Sequence, residues 1–372
     1  MQFTPFLTLL AEIEDPRRAE GKLYRLPHVV LFAILAMVAG ANSYRSIHSF
    51  IDVHFVRLRK FFRLKWRRTP AYTTIRNVLR QLDPASVEQA FRRHAAILDE
   101  QATPPRQRHI AVDGKALRQS FDAFQDRKAA HILSAFASGS TLVLAHLDCD
   151  EKSNEIPAVQ ALLRQLGLEQ ALLTVDAMHC QKTFEEAAAA GALLIAQVKD
   201  NQPTLHQRAE QVCQTSIPVD QTTTKDAKRR SRDETRVVEV FDPNAALADT
   251  EWADHVGAII RVSRTTHARQ TATGHWKTSS EVAYFVCEFL LPAALCAQAI
   301  RDHWAIENRS HYVRDGSFRE DSSRIRCNPA IFARLRSFAS NILRFNGVEN
   351  VCDTRYRITL GGLDALCSLR LM

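Results

Sequence analysis

The amino-acid sequence predicts an α/β protein: a mixed sheet with flanking helices, an all-α N-terminal region and a β-rich insertion. Three observations carry this. Residues 1–103 hold long apolar and amphipathic stretches punctuated by helix start and stop signals. From residue 108 the apolar runs shorten to strand length and alternate with helical stretches. Between about 215 and 290 that alternation gives way to further strand-length runs around a charged segment.

The N-terminal elements follow in order. The run 29–39 is an uninterrupted apolar stretch of 11 residues. A membrane span needs roughly 20, so it reads as a core helix. Gly40 stops it, and Ser43 or Ser46 caps the next helix. Thr73 or Thr74 opens a third. Asp83-Pro84 starts a fourth, with Pro84 suited to a first helical position. Pro104-Pro105 marks a linker.

The next region reads as strands at 110–112, 132–137 and 142–147. Asn154 then caps a helix over 156–166, which Gly167 stops. A strand at 172–175, a helix over 183–190 ended by Gly191, and a strand at 193–198 follow. The order is β-β-β-α-β-α-β, with another helix after Pro203. In the insertion, 225–236 is polar and charged, and strands are expected at 237–241, 258–262 and 282–289. Pro292 begins a long helical region, and a last helix spans 331–345. The expected domains are 1–103, then 106–348 with its insertion, then a tail over 349–372.

Composition narrows the function. The 372 residues are 46% hydrophobic, enough for a sizeable core. There are 49 Lys+Arg against 41 Asp+Glu, a formal charge of +8. A pI near 9.2 suits contact with a polyanion such as nucleic acid. Eight Cys lie between Cys149 and Cys367 without a CxxC pair, which argues against a disulfide framework or a zinc ribbon. His179-Cys180 has no second pair at ligand spacing. Reduced thiols and the lack of a signal-peptide pattern point to the cytoplasm, away from membranes.

Asp113 ends the first strand and Asp176 the fourth. Carboxyl ends of strands in open α/β sheets are where ligands bind. Carboxylates there either cap the following turn or are neutralised by a divalent cation, and oxygen-only ligands favour magnesium or manganese. For a third acid, HWAIENRSHYVRDGSFRED offers Glu307, Asp315, Glu320 and Asp321. Glu307 is preferred: His303, Glu307, His311 and Arg314 are spaced 4, 4 and 3 apart and would share one face of an α-helix, unless that face is an exposed ion-pair surface. Three acids could hold two metal ions that activate a water or 3′-hydroxyl and stabilise the leaving oxygen. Lys115 and Lys199 are either contacts to a DNA backbone or solvated charges. Two basic clusters are candidate DNA surfaces. VRLRKFFRLKWRR carries seven Lys/Arg interleaved with Phe61, Phe62 and Trp66, for stacking or for an apolar helix face. The second is 225–236, otherwise a solvated loop.

At these residues the chain resembles the H-repeat-associated proteins and related DDE transposases of bacterial insertion sequences. The matching stretches are EIEDPRR (12–18), AVDGKALRQS (111–120), EKSNEI (151–156), TVDAMHCQK (174–182), VKDNQPTL (198–205), HWAIEN (303–308) and FREDSSRIR (318–326). The resemblance implies a ribonuclease H-like catalytic domain with an inserted set of strands and a helical associated domain in front. It implies Asp113, Asp176 and Glu307 as catalytic acids and ligands of two Mg²⁺ or Mn²⁺ ions. It further implies metal-dependent cleavage at element ends, strand transfer into target DNA, and a homodimer on double-stranded DNA at the nucleoid. Lys115, Lys199, His303, His311 and Arg314 are the candidate DNA contacts. Related transposases often carry a Tyr–Arg–Glu–Lys signature around the last acid, where this chain has Ile300, His303, Glu307 and Arg314. That departure keeps two alternatives open: a non-catalytic DNA-binding derivative, and a metal-dependent nuclease without strand transfer.

Overall fold

The computed structural model describes residues 3–102, 108–121, 128–149, 155–166, 169–176, 180–199, 201–229, 232–270 and 274–372. The expectations at Pro104-Pro105, Asn154, Gly167 and His179 lie outside these. The helices are α1 (Thr4–Leu10), α2 (Leu26–Val38), α3 (Tyr44–Val53), α4 (Phe55–Phe61), α5 (Tyr72–Gln81), α6 (Pro84–Ala102), α7 (Glu155–Leu166), α8 (Cys180–Ala189), α9 (Pro203–Thr215), α10 (Ala293–Ala305), α11 (Tyr312–Gly316), α12 (Pro329–Phe345) and α13 (Val351–Cys367). The strands are β1 (His109–Ala116), β2 (His131–Ala137), β3 (Leu142–Cys149), β4 (Leu172–Val175), β5 (Leu193–Val198), β6 (Asp220–Arg229), β7 (Arg232–Phe241), β8 (Ala258–Arg269) and β9 (Trp276–Cys287).

The strands form one mixed sheet in the order β3-β2-β1-β4-β5-β9-β8-β7-β6. The first five strands in that order, β3-β2-β1-β4-β5, all precede the inserted strands in the chain. The chain forms two compact units. The first comprises Met1–Arg106, Gly114–Asn154 and Ile306–Met372; the second comprises Gln107–Asp113 and Glu155–Ala305.

The first unit is built around α2. Every residue from Val29 to Val38 is at most 1% exposed, so this apolar run forms a protein core as expected. α3 and α12 pack on it, and α6 packs on β3. Ser43 is the cap of α3, its Oγ accepting from the Ser46 amide at 3.1 Å. Asp83 accepts from the Ser86 amide at 2.8 Å at the start of α6. α5 opens at Tyr72 without a side-chain cap, so Thr73 and Thr74 lie inside its first turn. Residues 349–372, expected as a tail, carry α13, which packs on α2.

Two of the three aromatic residues of the first basic cluster, Phe62 and Trp66, face inward, whereas Phe61 is exposed. Trp66 is buried, and Phe62 and Trp66 both stack edge-on against Phe32. All seven cations of that cluster are exposed. Packing thus occupies Phe62 and Trp66, as the apolar-face reading expects, while Phe61 and the charges meet solvent.

Two buried ionic clusters tie the first unit together. Glu88, 6% exposed, accepts from Arg334 at 2.9 Å, Arg92 at 2.8 Å and the His146 amide at 2.7 Å. Glu320, 1% exposed, pairs with Arg314 at 2.9 Å and lies 3.6 Å from Arg336. Burial pushes both carboxyls up. For Glu88 the charge of His146 and Arg334 outweighs it, and for Glu320 that of Arg314, Arg336 and Lys115 does, holding each at about 2. Burial pushes His94 down to about 4.

These shifts set an acid limit. A carboxyl depressed from 4.5 to about 2 stabilises the fold above pH 4.5 and loses that contribution as pH falls towards 2. Neutral His94 likewise favours the folded chain above pH 6.5 and begins to oppose it below. The denaturation midpoint measured by circular dichroism is expected to fall modestly from pH 6.5 and steeply below 4.5. A midpoint unchanged between pH 7 and pH 3 would contradict this assignment.

The second unit holds β4 to β9 and α7 to α10. Its core joins Leu172 and Ile195 to Val238, Ile260 and Phe285 from the inserted strands and to Ala299 and Ile300 of α10. β6 to β9 form an antiparallel meander. β9 pairs antiparallel with β5, Ala196 opposite Val286, so the insertion extends the central sheet. The described residues of the charged stretch 225–236 lie in paired strands. Lys225 faces Thr235, and Asp226 faces Glu234 and bonds Arg301 at 2.6 Å. β6 has no apolar alternation in DQTTTKDAKR, so its strand identity comes from cross-strand pairing.

Candidate active site

Parallel pairing of β1 with β4 places Val112 opposite Val175. Asp113 and Asp176 are the next residues, so the two acids follow equivalent points on adjacent strands; β1 continues to Ala116, so Asp113 lies within that strand and not at its end as expected, whereas Asp176 follows the last residue of β4. Neighbouring strands lie about 4.8 Å apart. β5 is the next parallel strand, with Val175 opposite Ala196. Its last residue, Val198, is followed by Lys199, whose Nζ donates to Asp176 Oδ1 at 2.5 Å. Both side chains are about half exposed, 48% for Lys199 and 50% for Asp176. An exposed pair of this kind opens easily. Asp113 is partly buried.

Behind the acids is a buried polar cluster that sequence patterns do not reveal. The Thr174 hydroxyl lies 3.1 Å from His109 Nε2 and 2.9 Å from His303 Nδ1. A hydroxyl donates one bond and can accept two, so at least one of the imidazoles donates to it. Burial, and then the charge of His303, hold His109 at about 4. Burial lowers His303 too, partly offset by Asp176. Both rings are therefore neutral near pH 7. They clamp β4 against α10 two residues before Asp176. Thr174→Val keeps the shape and removes both bonds. It is expected to cost about 1–3 kcal/mol, the penalty for buried polar groups left unpaired, read by urea denaturation. A change below about 0.5 kcal/mol would show that the rings find other partners.

After α10 the chain enters the first unit through a π-helical segment, Ile306–His311. This corrects the expected one-faced stripe. The α-helical spacing of His303, Glu307, His311 and Arg314 does not survive a wider turn. Glu307 is exposed, His311 partly buried and Arg314 1% exposed. Such π segments recur at functional positions in helices.

The four acids considered for the third position now separate. Asp315 bonds Lys115, Asp321 lies 3.4 Å from Arg118, and Glu320 is locked to Arg314. Glu307 has no hydrogen-bond or ion-pair partner among the described residues. Of the candidate DNA contacts, Lys199 stands beside Asp176 and His303 packs on Thr174. Lys115 is buried, with Glu320 and Asp321 each at 3.7 Å, and Arg314 is held by Glu320. Lys115 and Arg314 thus serve the interior of the first unit.

The donor set suits a hard divalent cation: carboxylate oxygens at a partly solvated strand end. Among the described residues, no three His, Cys, Asp or Glu side chains already converge on one point. The cysteines whose side chains are described are all free thiols.

Fold and site together define a class: a mixed α/β protein whose adjacent parallel strands present paired acids, Asp113 within β1 and Asp176 just after β4. Comparison with known families then places the chain. The transposase DDE domain matches residues 104–342, and the DDE_Tnp_1-associated domain matches 7–95. The protein belongs to the DDE transposase family. It is 30% identical over 355 residues to the protein YbfL of Escherichia coli K12, covering 92% of this chain and 91% of the relative. The same identity and coverage relate it to the "H repeat-associated putative transposase YhhI" of that strain. Among solved structures, the piggyBac transposase synaptic complex with hairpin DNA matches over 98% of this chain and 79% of that one, with a TM-score of 0.39 and 11% identity. That likeness is too distant to add to the assignment.

Proposed function

We propose that the protein is an active insertion-sequence transposase that cuts DNA at element ends and joins the resulting 3′-hydroxyl to target DNA. The observation that carries this is the emergence of Asp113 and Asp176 side by side from parallel strands β1 and β4. Glu307, unpartnered and exposed, supplies the third carboxylate. These three would hold two Mg²⁺ or Mn²⁺ ions. When bound, such ions polarise an attacking oxygen and stabilise the leaving one.

The chain's own groups do the rest. Thr174 with neutral His109 and His303 keeps β4 and α10 in register behind Asp176. Lys199 balances the Asp176 charge until a cation or phosphate takes its place. The substrate is double-stranded DNA, and bringing two ends together calls for a homodimer on DNA. The site of action is the cytoplasm, at the nucleoid.

The test is a strand-transfer assay with the DNA that flanks the gene, using intact and pre-cleaved ends with Mg²⁺. Cleavage and joining support the proposal. Cleavage without joining of pre-cleaved ends marks a nuclease. Binding without cleavage marks a DNA-binding derivative.

A further inference from the structure

The FREDSSRIR stretch has no part in the acid site, yet in the first unit it walls a cavity of about 840 Å³. Arg319, Arg324 and Arg326 come from this stretch, and Arg76 and Arg80 from α5. The start of α3, at Ser43, closes one side. No Asp or Glu lines the cavity. None of the five arginines forms an ion pair with a carboxylate among the described residues. Elsewhere in this unit Arg17, Arg92, Arg314 and Arg334 all have carboxylate partners. Five guanidinium groups held together without counter-charge repel one another, and an anion relieves that.

The cavity is built rather than loose. Asn328 donates to the backbone oxygens of Arg80 at 3.3 Å and Leu82 at 2.8 Å, pinning the loop to the end of α5. Arg319 and Asn328 bracket the loop with φ of 50° and 52°, a conformation held only by surrounding contacts. The Nε atoms of Arg76 and Arg326 are buried without a hydrogen-bond partner. Guanidinium forks match phosphate oxygens in geometry and charge. The opening of α3 adds backbone amides and the positive end of a helix dipole.

We infer that this arginine cavity binds phosphate groups of a DNA backbone, as a second contact surface apart from the acidic site. The inference rests on the proposed function for its choice of polyanion. Two features favour a backbone over a small phosphate compound. Arg80, Arg319 and Arg324 stand exposed along the cavity. A neighbouring cavity of about 400 Å³ shares Ser322 and Arg324 and adds Arg118, although Asp321 also lines it. The basic surface thus continues past the reach of one anion.

The test compares the full chain with R80Q/R319Q/R324Q, all exposed positions, and with R80K/R319K/R324K. Duplex affinity is measured by fluorescence anisotropy across a salt series, with the melting transition as a check of fold. The Gln variant is expected to bind roughly tenfold more weakly at about 0.15 M salt, with its salt slope smaller by about 2. The Lys variant should recover most of the slope and part of the affinity, because it keeps charge without the bidentate fork. Equal affinity and slope in the Gln variant would overturn the inference. Thermal stabilisation by inorganic pyrophosphate that the Gln variant loses, with duplex binding unchanged, would assign the cavity to a free phosphate compound instead. No duplex binding by the unmodified chain would overturn the transposase reading itself, and this inference with it.

Discussion

Asp113→Asn is expected to lower Mg²⁺-dependent cleavage by about 10²–10³-fold or more, the range for losing one group that stabilises transition-state charge. The substitution changes charge and almost nothing in shape. Asp113 closes the apolar run of β1, whose pairing with β4 does not need the carboxylate. Stability should therefore hold while activity falls. Asp176→Asn should behave alike, and would also release Lys199 from its pair. If both acids serve one metal-binding unit, the double variant should be hardly worse than either single one, since groups acting together are non-additive. Glu307→Gln should match them. Cleavage within about threefold of the unmodified chain in any of the three would remove that residue from the machinery; at Asp113 it would end the catalytic proposal.

Glu320→Gln carries the largest expected effect on stability, about 3–5 kcal/mol by chemical denaturation. The carboxylate is 1% exposed, 2.9 Å from Arg314 and 3.6 Å from Arg336, with Lys115 at 3.7 Å. Arg314 and Arg336 are themselves 1% and 2% exposed. Neutralising the one buried anion leaves cations in a low-dielectric interior without an opposing charge. Adding Arg336→Met to the Gln variant should recover part of the loss, because the second change removes an uncompensated cation. A cost below about 1 kcal/mol would mean that these cations reach water after all.

The parts of the fold legible in the sequence are those where local pattern and burial agree. The 29–39 run became a fully buried helix up to Val38, with Ala39 as its C-cap. The strands expected at 132–137 and 193–198 became β2 and β5 within a residue of their ends. Ser43 and Asp83 revealed their helix starts because short side chains that bond nearby amides leave a positional mark. β6 escaped detection because a strand of Thr, Lys and Asp is stabilised by what lies beside it. α13 escaped because its sequence, VCDTRYRITLGGLDALC, includes a Gly pair that normally ends a helix, and the helix does break there, kinking at Gly362 with φ of 60°.

The acid site divides in the same way. Asp113 and Asp176 could be picked out because each closes an apolar run, and their chain order needed no coordinates. Glu307 is preferred over Glu320 already by its spacing in the sequence; only the structure adds that Glu320 is neutralised by Arg314, since a sequence lists acids without saying which are already paired. The π segment was equally hidden, because periodicity assumes one kind of turn. The chain's order of residues thus settled most of the elements and the two acids that close their apolar runs, through local sterics and burial. Long-range packing settled the partners: Thr174 between two imidazoles, Glu320 between two guanidiniums, and five arginines around one cavity. Those contacts join residues tens to hundreds of positions apart, and their energies depend on distances and dielectric that no linear pattern records.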